Sequence, residues 1–388
     1  LNEILATLIF YFIFWVAVYI IGKIFKTYKK DLKGLTIKPL YLNYKTTKLN
    51  SLLMKFSGKA KNAWLIIWNI SAALAFGQMA FIIYNLMKNF YFLINKSNQA
   101  SQVFLLLPGL TVSWSNIPYL FLSLALLLIT HEFAHGIAAA IEGIPLKNAG
   151  LFILGFIPGG FIEVDDEALK KAEISSKLRV FSAGSSANLA VGLLILLLMV
   201  NFGFAISPFY SSTPSGVLIT DLIPNGAAEK IGLKKWDVII ALNDTKINDI
   251  EALTKFMNNV KPYSTLKVTT KNGVFQLITQ PHKLNESKAL IGIYPFNYYE
   301  PKLSFIPIYL PYYLFTFGSW SYTILISVAL INMLPIQPLD GGKIIEALLD
   351  KFDVKRKKEI QMILNLISVS LLGLNLVFSS LTFGFIRI

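Results

Sequence analysis

The 388-residue chain is 54% hydrophobic and 15% charged, with a mean hydropathy of +0.57, which excludes an ordinary soluble globule and fits a polytopic membrane protein. The net charge of +14 lies in lysine-rich stretches between apolar segments, without arginine-rich or aromatic-interleaved motifs, so it reads as topogenic and not as a nucleic-acid surface. The absence of cysteine excludes disulfides, thiolate zinc sites and thiol nucleophiles.

The first apolar segment, about Leu8 to Phe25, lacks a basic leader and a small-residue cleavage site, and is expected to be a retained transmembrane helix. Between Lys26 and Lys61 lie ten lysines and one acid, Asp31, the pattern of a cytoplasmic loop. The second segment runs from about Ala63 to Phe92. The third begins near Val103, is interrupted at Pro108-Gly109 and Pro118, and continues to Ala140. The fourth is about Val180 to Phe204, the fifth about Phe305 to Leu334 and the sixth about Ile360 to Phe383. A second basic run, Lys351 to Lys358, precedes the sixth. Six crossings place both basic runs on the cytoplasmic side and residues 213–280 outside.

Two stretches interrupt this pattern. Asn148 to Val164 is too short and glycine-rich to cross. Gly155, Gly159 and Gly160 permit turns, and Pro158 breaks a helix. It is expected to be a β-hairpin dipping into the protein from the cytoplasmic side, where irregular backbone survives only against protein or a watery cavity. Pro214 to Pro281 carries short alternating runs at 217–219, 238–242, 266–269 and 274–277, with two short helices at Ala227 to Ile231 and Ile250 to Asn258. The expected fold class is therefore a polytopic α-helical membrane protein of about six transmembrane helices, with a membrane-embedded β-hairpin and an inserted soluble α+β domain. The expected divisions are 1–95 for the first helices and basic loop, 96–208 for the first part of the membrane core, 209–300 for the extracytoplasmic module and 301–388 for the rest of the core.

The chemistry is concentrated in His131-Glu132-Phe133-Ala134-His135. Histidines four apart share a helix face, where two imidazoles can hold zinc and the intervening glutamate can take a proton from water. The chain has three histidines, and two make this motif. Ionisable groups within an apolar helix are costly and usually functional. Catalytic zinc takes three protein ligands. His282 follows the external module, whereas Asp340 falls at the cytoplasmic end of the fifth segment, at the depth of His131 and His135. Asp340 is the better candidate. Asn188 in the fourth segment and Asn332 in the fifth are polar groups in apolar crossings, suited either to hold substrate and orient the water or to bind helices together. Broken helices and buried polar groups also occur in transporters, and an inactive membrane scaffold is a further alternative; the intact His131, Glu132, His135 and Asp340 favour hydrolysis.

Three separated motifs, His131 to His135, Ser182-Ala183-Gly184 to Asn188, and Asn332 to Gly342, resemble those of the site-2 protease family of intramembrane zinc metalloproteases. The resemblance covers about Val103 to Leu349. It implies one zinc ion per chain held by His131, His135 and Asp340, with Glu132 as general base. It implies transmembrane protein substrates already cleaved outside the membrane, a lipid bilayer setting, and a prokaryotic cell membrane with the active site near the cytoplasmic side. Gly159 and Gly160 would help seat an extended substrate on the hairpin. The insert resembles a PDZ domain, with Gly216, Val217 and Leu218 as the strand that would receive a peptide; a size filter or scaffold without peptide binding is the other reading.

Overall fold

The computed structural model describes residues 2–27, 34–155, 157–282, 285–384 and 387–388. Residues 1–194 and 320–388 form one compact unit and residues 195–319 a second.

The first unit opens with α1 (Asn2–Thr27). The basic stretch that follows was expected to be a plain loop. Its described part instead holds β1 (Leu35–Lys38), β2 (Tyr41–Thr46) and a helix, α2 (Lys48–Gly58). Next come α3 (Lys61–Ile94), an extended segment that turns at Pro108, and α4 (Ile117–Ile141). After α4 the chain forms β3 (Leu146–Leu154) and β4 (Ile157–Val164), then α5 (Asp166–Lys171) and α6 (Ile174–Val200). Asp165 caps α5 by accepting from the Ala168 amide at 2.9 Å. Acids in the first turn of α5 and lysines in its last complement the helix dipole.

The hairpin extends a larger sheet. Its order is β1-β2-β3-β4, all antiparallel, with Tyr41 opposite Leu154 and Thr46 opposite Ala149. Pairing with β3 explains why a lysine-rich stretch folds as strands: its Leu and Tyr side chains gain a partner surface that local pattern does not reveal. Phe152 faces Gly159 across the hairpin, where a Cβ would lie 2.2 Å from the ring. Among the described residues the outer edge of β4 has no partner.

The second unit contains α7 (Phe202–Ile206), β5 (Gly216–Leu222), α8 (Ala227–Lys230), β6 (Val238–Leu242), β7 (Thr245–Lys246) and α9 (Ile250–Met257). It continues with β8 (Thr265–Thr270), β9 (Gly273–Ile278), β10 (Gln280–His282), β11 (Asn285–Leu290) and β12 (Ile293–Tyr298). The alternating runs became β5, β6, β8 and β9, and the two short helices became α8 and α9. Val217, Ile219, Ile239, Leu242, Val268 and Leu277 form the core. The main sheet runs β12-β5-β6-β8-β9. This corrects one expectation. Gly216, Val217 and Leu218 are paired to β12 on one side and Val217 and Leu218 to β6 on the other, and all three are buried. No further strand can add there. The open edge beside α9 belongs to β12, which lies beyond the alternating runs read from the sequence but within the expected 209–300 division. At the neck of this unit the Lys302 amide donates to the Phe209 carbonyl at 2.9 Å, and the Ser211 amide to the Glu300 carbonyl at 2.8 Å.

The chain then forms α10 (Leu310–Ile331), α11 (Asp340–Lys351) and α12 (Lys357–Phe383). Among the described residues six helices, α1, α3, α4, α6, α10 and α12, are long and apolar enough to cross a bilayer. Hydroxyl and amide pairs join them: Ser71 to Ser182 at 2.9 Å, Ser123 with Ser321 at 2.9 Å, and Asn89 to Asn375 at 3.0 Å. Such pairs, with small residues between them, supply the specific helix contacts that apolar lipid does not drive. On α6 the division is clear: Ser182 to Ser186 are buried, while Leu193, Leu194, Leu197 and Leu198 are exposed.

Candidate metal centre

His131 and His135 occupy successive turns of α4, so their rings meet. Their Nε2 atoms lie 3.1 Å apart. Asp340, the first residue of α11, brings its Oδ2 to 3.4 Å from His131 Nε2 and 3.2 Å from His135 Nε2. Two tetrahedral ligands each about 2.0–2.2 Å from zinc stand roughly 3.3–3.6 Å apart. The three edges of this triangle are close to that requirement, so the donor set fits zinc. The three residues form a potential ligand group; His282 lies in β10 of the second unit and is not part of it.

Surrounding groups aim each ligand. The Val180 carbonyl lies 2.7 Å from His135 Nδ1. A carbonyl only accepts, so Nδ1 carries the proton and Nε2 is left with its lone pair toward the triangle. His131 Nδ1 meets the Asn188 side-chain amide at 3.2 Å, and Asn188 is held by the Thr130 hydroxyl at 2.5 Å. Asn332 donates to Asp340 Oδ2 at 2.8 Å, and its backbone carbonyl accepts from the Gly341 amide at 2.9 Å. The Ser185 hydroxyl and Lys343 also approach Asp340, at 3.4 and 3.5 Å. Burial opposes ionisation of Asp340, yet the two imidazoles and Lys343 hold its carboxyl well below the usual carboxylate range. It is thus an anionic donor.

Close packing builds this pocket. A Cβ at Gly184 would lie 2.4 Å from His135 Nε2 and 2.6 Å from His131 Cε1, so only glycine lets α6 come this near. Gly160 on β4 faces Glu132, where a Cβ would lie 2.9 Å from Glu132 Cγ. A cavity of about 550 Å³ is lined by His131, Glu132, His135, Asp340 and Glu163. The Asn148 amide and the Lys45 ammonium hold Glu163 below the usual carboxylate range. An apolar cavity of about 430 Å³, walled by Leu106, Leu124 and Val328, meets the same His131, Glu132, Gly160 and Asn332.

The structure therefore gathers His131, Glu132, His135, Asp340, Asn188, Asn332 and Gly160 around one point. Gly159 lies beside them in the apolar wall, and Gly216, Val217 and Leu218 lie in the core of the second unit. Sequence reasoning missed Thr130, Val180, Ser185 and Lys343. Gly184 entered that reasoning only within the Ser182-Ala183-Gly184 to Asn188 motif, although its place between small neighbours in an apolar helix was a signal of close approach.

The chain is 30% identical over 225 residues to an uncharacterized protein of Methanocaldococcus jannaschii, a match spanning 57% of this chain and 54% of that protein. It is 28% identical to a membrane-bound transcription factor site-2 protease homolog of Arabidopsis thaliana over 54% of this chain and 40% of that one. A chloroplast membrane metalloprotease of the same plant is 27% identical over 44% of this chain and 45% of its own length. The chain spans about half the length of the curated relatives it matches. The sequence model of peptidase family M50 matches residues 119–374, a stretch that includes the His131 to His135 motif, Gly184 to Asn188 and Asn332 to Gly342. Ligand triangle, half-buried glutamate and sequence match agree, and the chain belongs to peptidase family M50.

Proposed function

We propose that this protein is an intramembrane zinc endopeptidase that cuts transmembrane segments of other membrane proteins near the cytoplasmic face. The observation that carries the reading is the ligand triangle of His131, His135 and Asp340, beside Glu132 on a helix long and apolar enough to cross a bilayer. Zinc bound there supplies a Lewis acid that polarises a peptide carbonyl and makes water nucleophilic at neutral pH. Glu132 takes the proton from the attacking water and returns it to the leaving amine. Asn188 and Asn332 keep His131 and Asp340 in place and are positioning residues. A helical substrate hides its carbonyls, so it must be extended at the scissile bond. The unpaired edge of β4, running past Gly160 beside Glu132, suits such a strand. The apolar cavity takes side chains from the bilayer side, while the polar one admits water.

The second unit is read as a PDZ-like module outside the membrane, acting as a peptide reader or a size filter. Strand addition in it belongs at β12. There Ile291 to Ile293 face Leu253 and Met257 of α9 across a cavity of about 240 Å³.

Two measurements test the reading. The purified chain, stripped by a chelator, should lose cleavage of a transmembrane reporter and regain it with about one equivalent of zinc. Full activity in the stripped chain would overturn it. Because the chain lacks cysteine, Lys59→Cys, Lys355→Cys and Asn243→Cys each provide one thiol at an exposed position. An impermeant thiol reagent on intact cells should label position 243 and spare 59 and 355. The reverse pattern would invert the topology.

A further inference from the structure

Beside the metal site lies a second cavity, of about 770 Å³, formed by α5, the start of α6 and α11. It shares Leu169, Phe181, Lys343 and Glu346 with the polar cavity that holds the ligands. Its floor is apolar and its rim is cationic. Five lysines line it, Lys170, Lys177, Lys343, Lys351 and Lys357, against the three acids Glu173, Glu346 and Asp350. All three acids are engaged: Asp350 accepts from Lys357 at 2.5 Å, Glu346 from Gln337 at 2.7 Å and Glu173 from the Ser175 hydroxyl at 3.5 Å. Lys177 donates to the Lys170 carbonyl at 2.8 Å, and Lys343 faces Asp340. Lys170 and Lys351 are exposed and, among the described residues, their ammonium groups have no hydrogen-bond or ion-pair partner.

The route to this cavity is also built. β4 runs from Gly160, beside Glu132, to Val164, and α5 follows directly with Leu169 and Lys170 in the cavity wall. A strand laid along β4 travels about 13 Å over those four steps and then reaches the lysines. On the basic side of a membrane, flanks of transmembrane segments are ordinarily rich in Lys and Arg. A lysine-rimmed cavity disfavours such flanks and favours the less common acidic ones.

Resting on the protease reading above, we propose that this cavity is an exosite for the substrate's flank. It selects transmembrane substrates that carry an acidic stretch beginning about five residues beyond the scissile bond. The lysines act on the juxtamembrane segment and not on the reacting atoms.

The test uses the zinc-loaded full chain and two reporters with one apolar segment, followed by a Glu/Asp-rich or a Lys-rich flank. It also uses fluorescent peptides of the two flanks alone. At low salt the acidic reporter should be cleaved with about fivefold higher kcat/KM, and the preference should fade at high salt. Lys170→Glu combined with Lys351→Glu should keep its zinc and remain monodisperse while the preference vanishes or reverses. The acidic peptide should bind the parent and not this double variant. Equal cleavage of both reporters by the parent, or a preference that survives the double substitution, overturns the proposal. So does stabilisation by phosphatidylglycerol vesicles that is lost in the double variant while the parent cleaves both reporters equally; the cavity would then take lipid headgroups. If neither reporter is cleaved but the acidic peptide binds in a lysine-dependent way, the exosite stands and the protease reading falls.

Discussion

Glu132→Gln is expected to keep about one zinc per chain while losing cleavage by roughly 10²–10⁴-fold. Asp340→Asn is expected to lose both. The two carboxylates share one pocket, so activity alone does not separate them; their geometry does. Asp340 Oδ2 closes the ligand triangle at 3.2 and 3.4 Å from the imidazoles. Glu132 stands outside it, packed against Gly160. Removing the charge of Glu132 leaves three donors in place and only the proton acceptor missing. Removing the charge of Asp340 leaves two imidazoles and a neutral amide. Zinc release to a chelator should then accelerate by at least the roughly 10–100-fold typical of losing even an outer partner. Both variants must elute as monodisperse species before zinc is measured by elemental analysis. An Asp340→Asn protein that holds zinc as firmly as the parent would remove Asp340 from the ligand set. A Glu132→Gln protein that loses zinc would reverse the assignment.

Gly184→Ala should empty the metal site without weakening α6. The sign of the helix effect makes this informative. Within a helix, alanine is favoured over glycine by about 1 kcal/mol, so backbone propensity alone predicts a more stable protein. The added Cβ, however, would sit 2.4 Å from His135 Nε2 and 2.6 Å from His131 Cε1. Both imidazoles must retreat, or α6 must move away from α4. Either response spreads the ligand triangle. We expect zinc content well below one per chain, cleavage lost with it, and a thermal midpoint of the stripped protein no more than slightly changed. Gly373→Ala in α12 is the control, since a Cβ there meets nothing within 4 Å; it should keep zinc and activity. Normal zinc content in Gly184→Ala would show that α6 does not crowd the imidazoles.

The parts of this site that could be read from the sequence are those governed by local spacing. The four-residue interval of His131 and His135 defines a helix face, and the glycines of the hairpin permit its turn. Asp340 was reached through depth, because charge bias oriented the crossings. What local pattern does not carry is which elements become neighbours. The lysines around Leu35 to Thr46 disguised two strands whose stability depends on pairing with β3. The order of the second sheet placed β5 inside and β12 at the edge, which moved the open groove away from Gly216, Val217 and Leu218. The Val180 carbonyl aims His135, yet a backbone carbonyl leaves no mark in a sequence. Gly184 was visible as one more small residue, and its distance to two imidazoles was not.

The neck between Phe209 and Lys302 bears on when the potential ligand group becomes complete. About two hundred residues of chain separate His135 from Asp340, and at roughly 5–20 residues per second their synthesis takes roughly 10–40 s. Throughout that interval the nascent chain holds two of its three donors. The 195–319 unit closes on itself at the neck hydrogen bonds, so it can fold as a loop pinched off from the rest. That brings the two ends of the excursion together. Shortening the loop helps closure only modestly, since its entropy grows with the logarithm of length. The larger effect is on timing: the His131, His135 and Asp340 group stays incomplete in the growing polypeptide until Asp340 has been made.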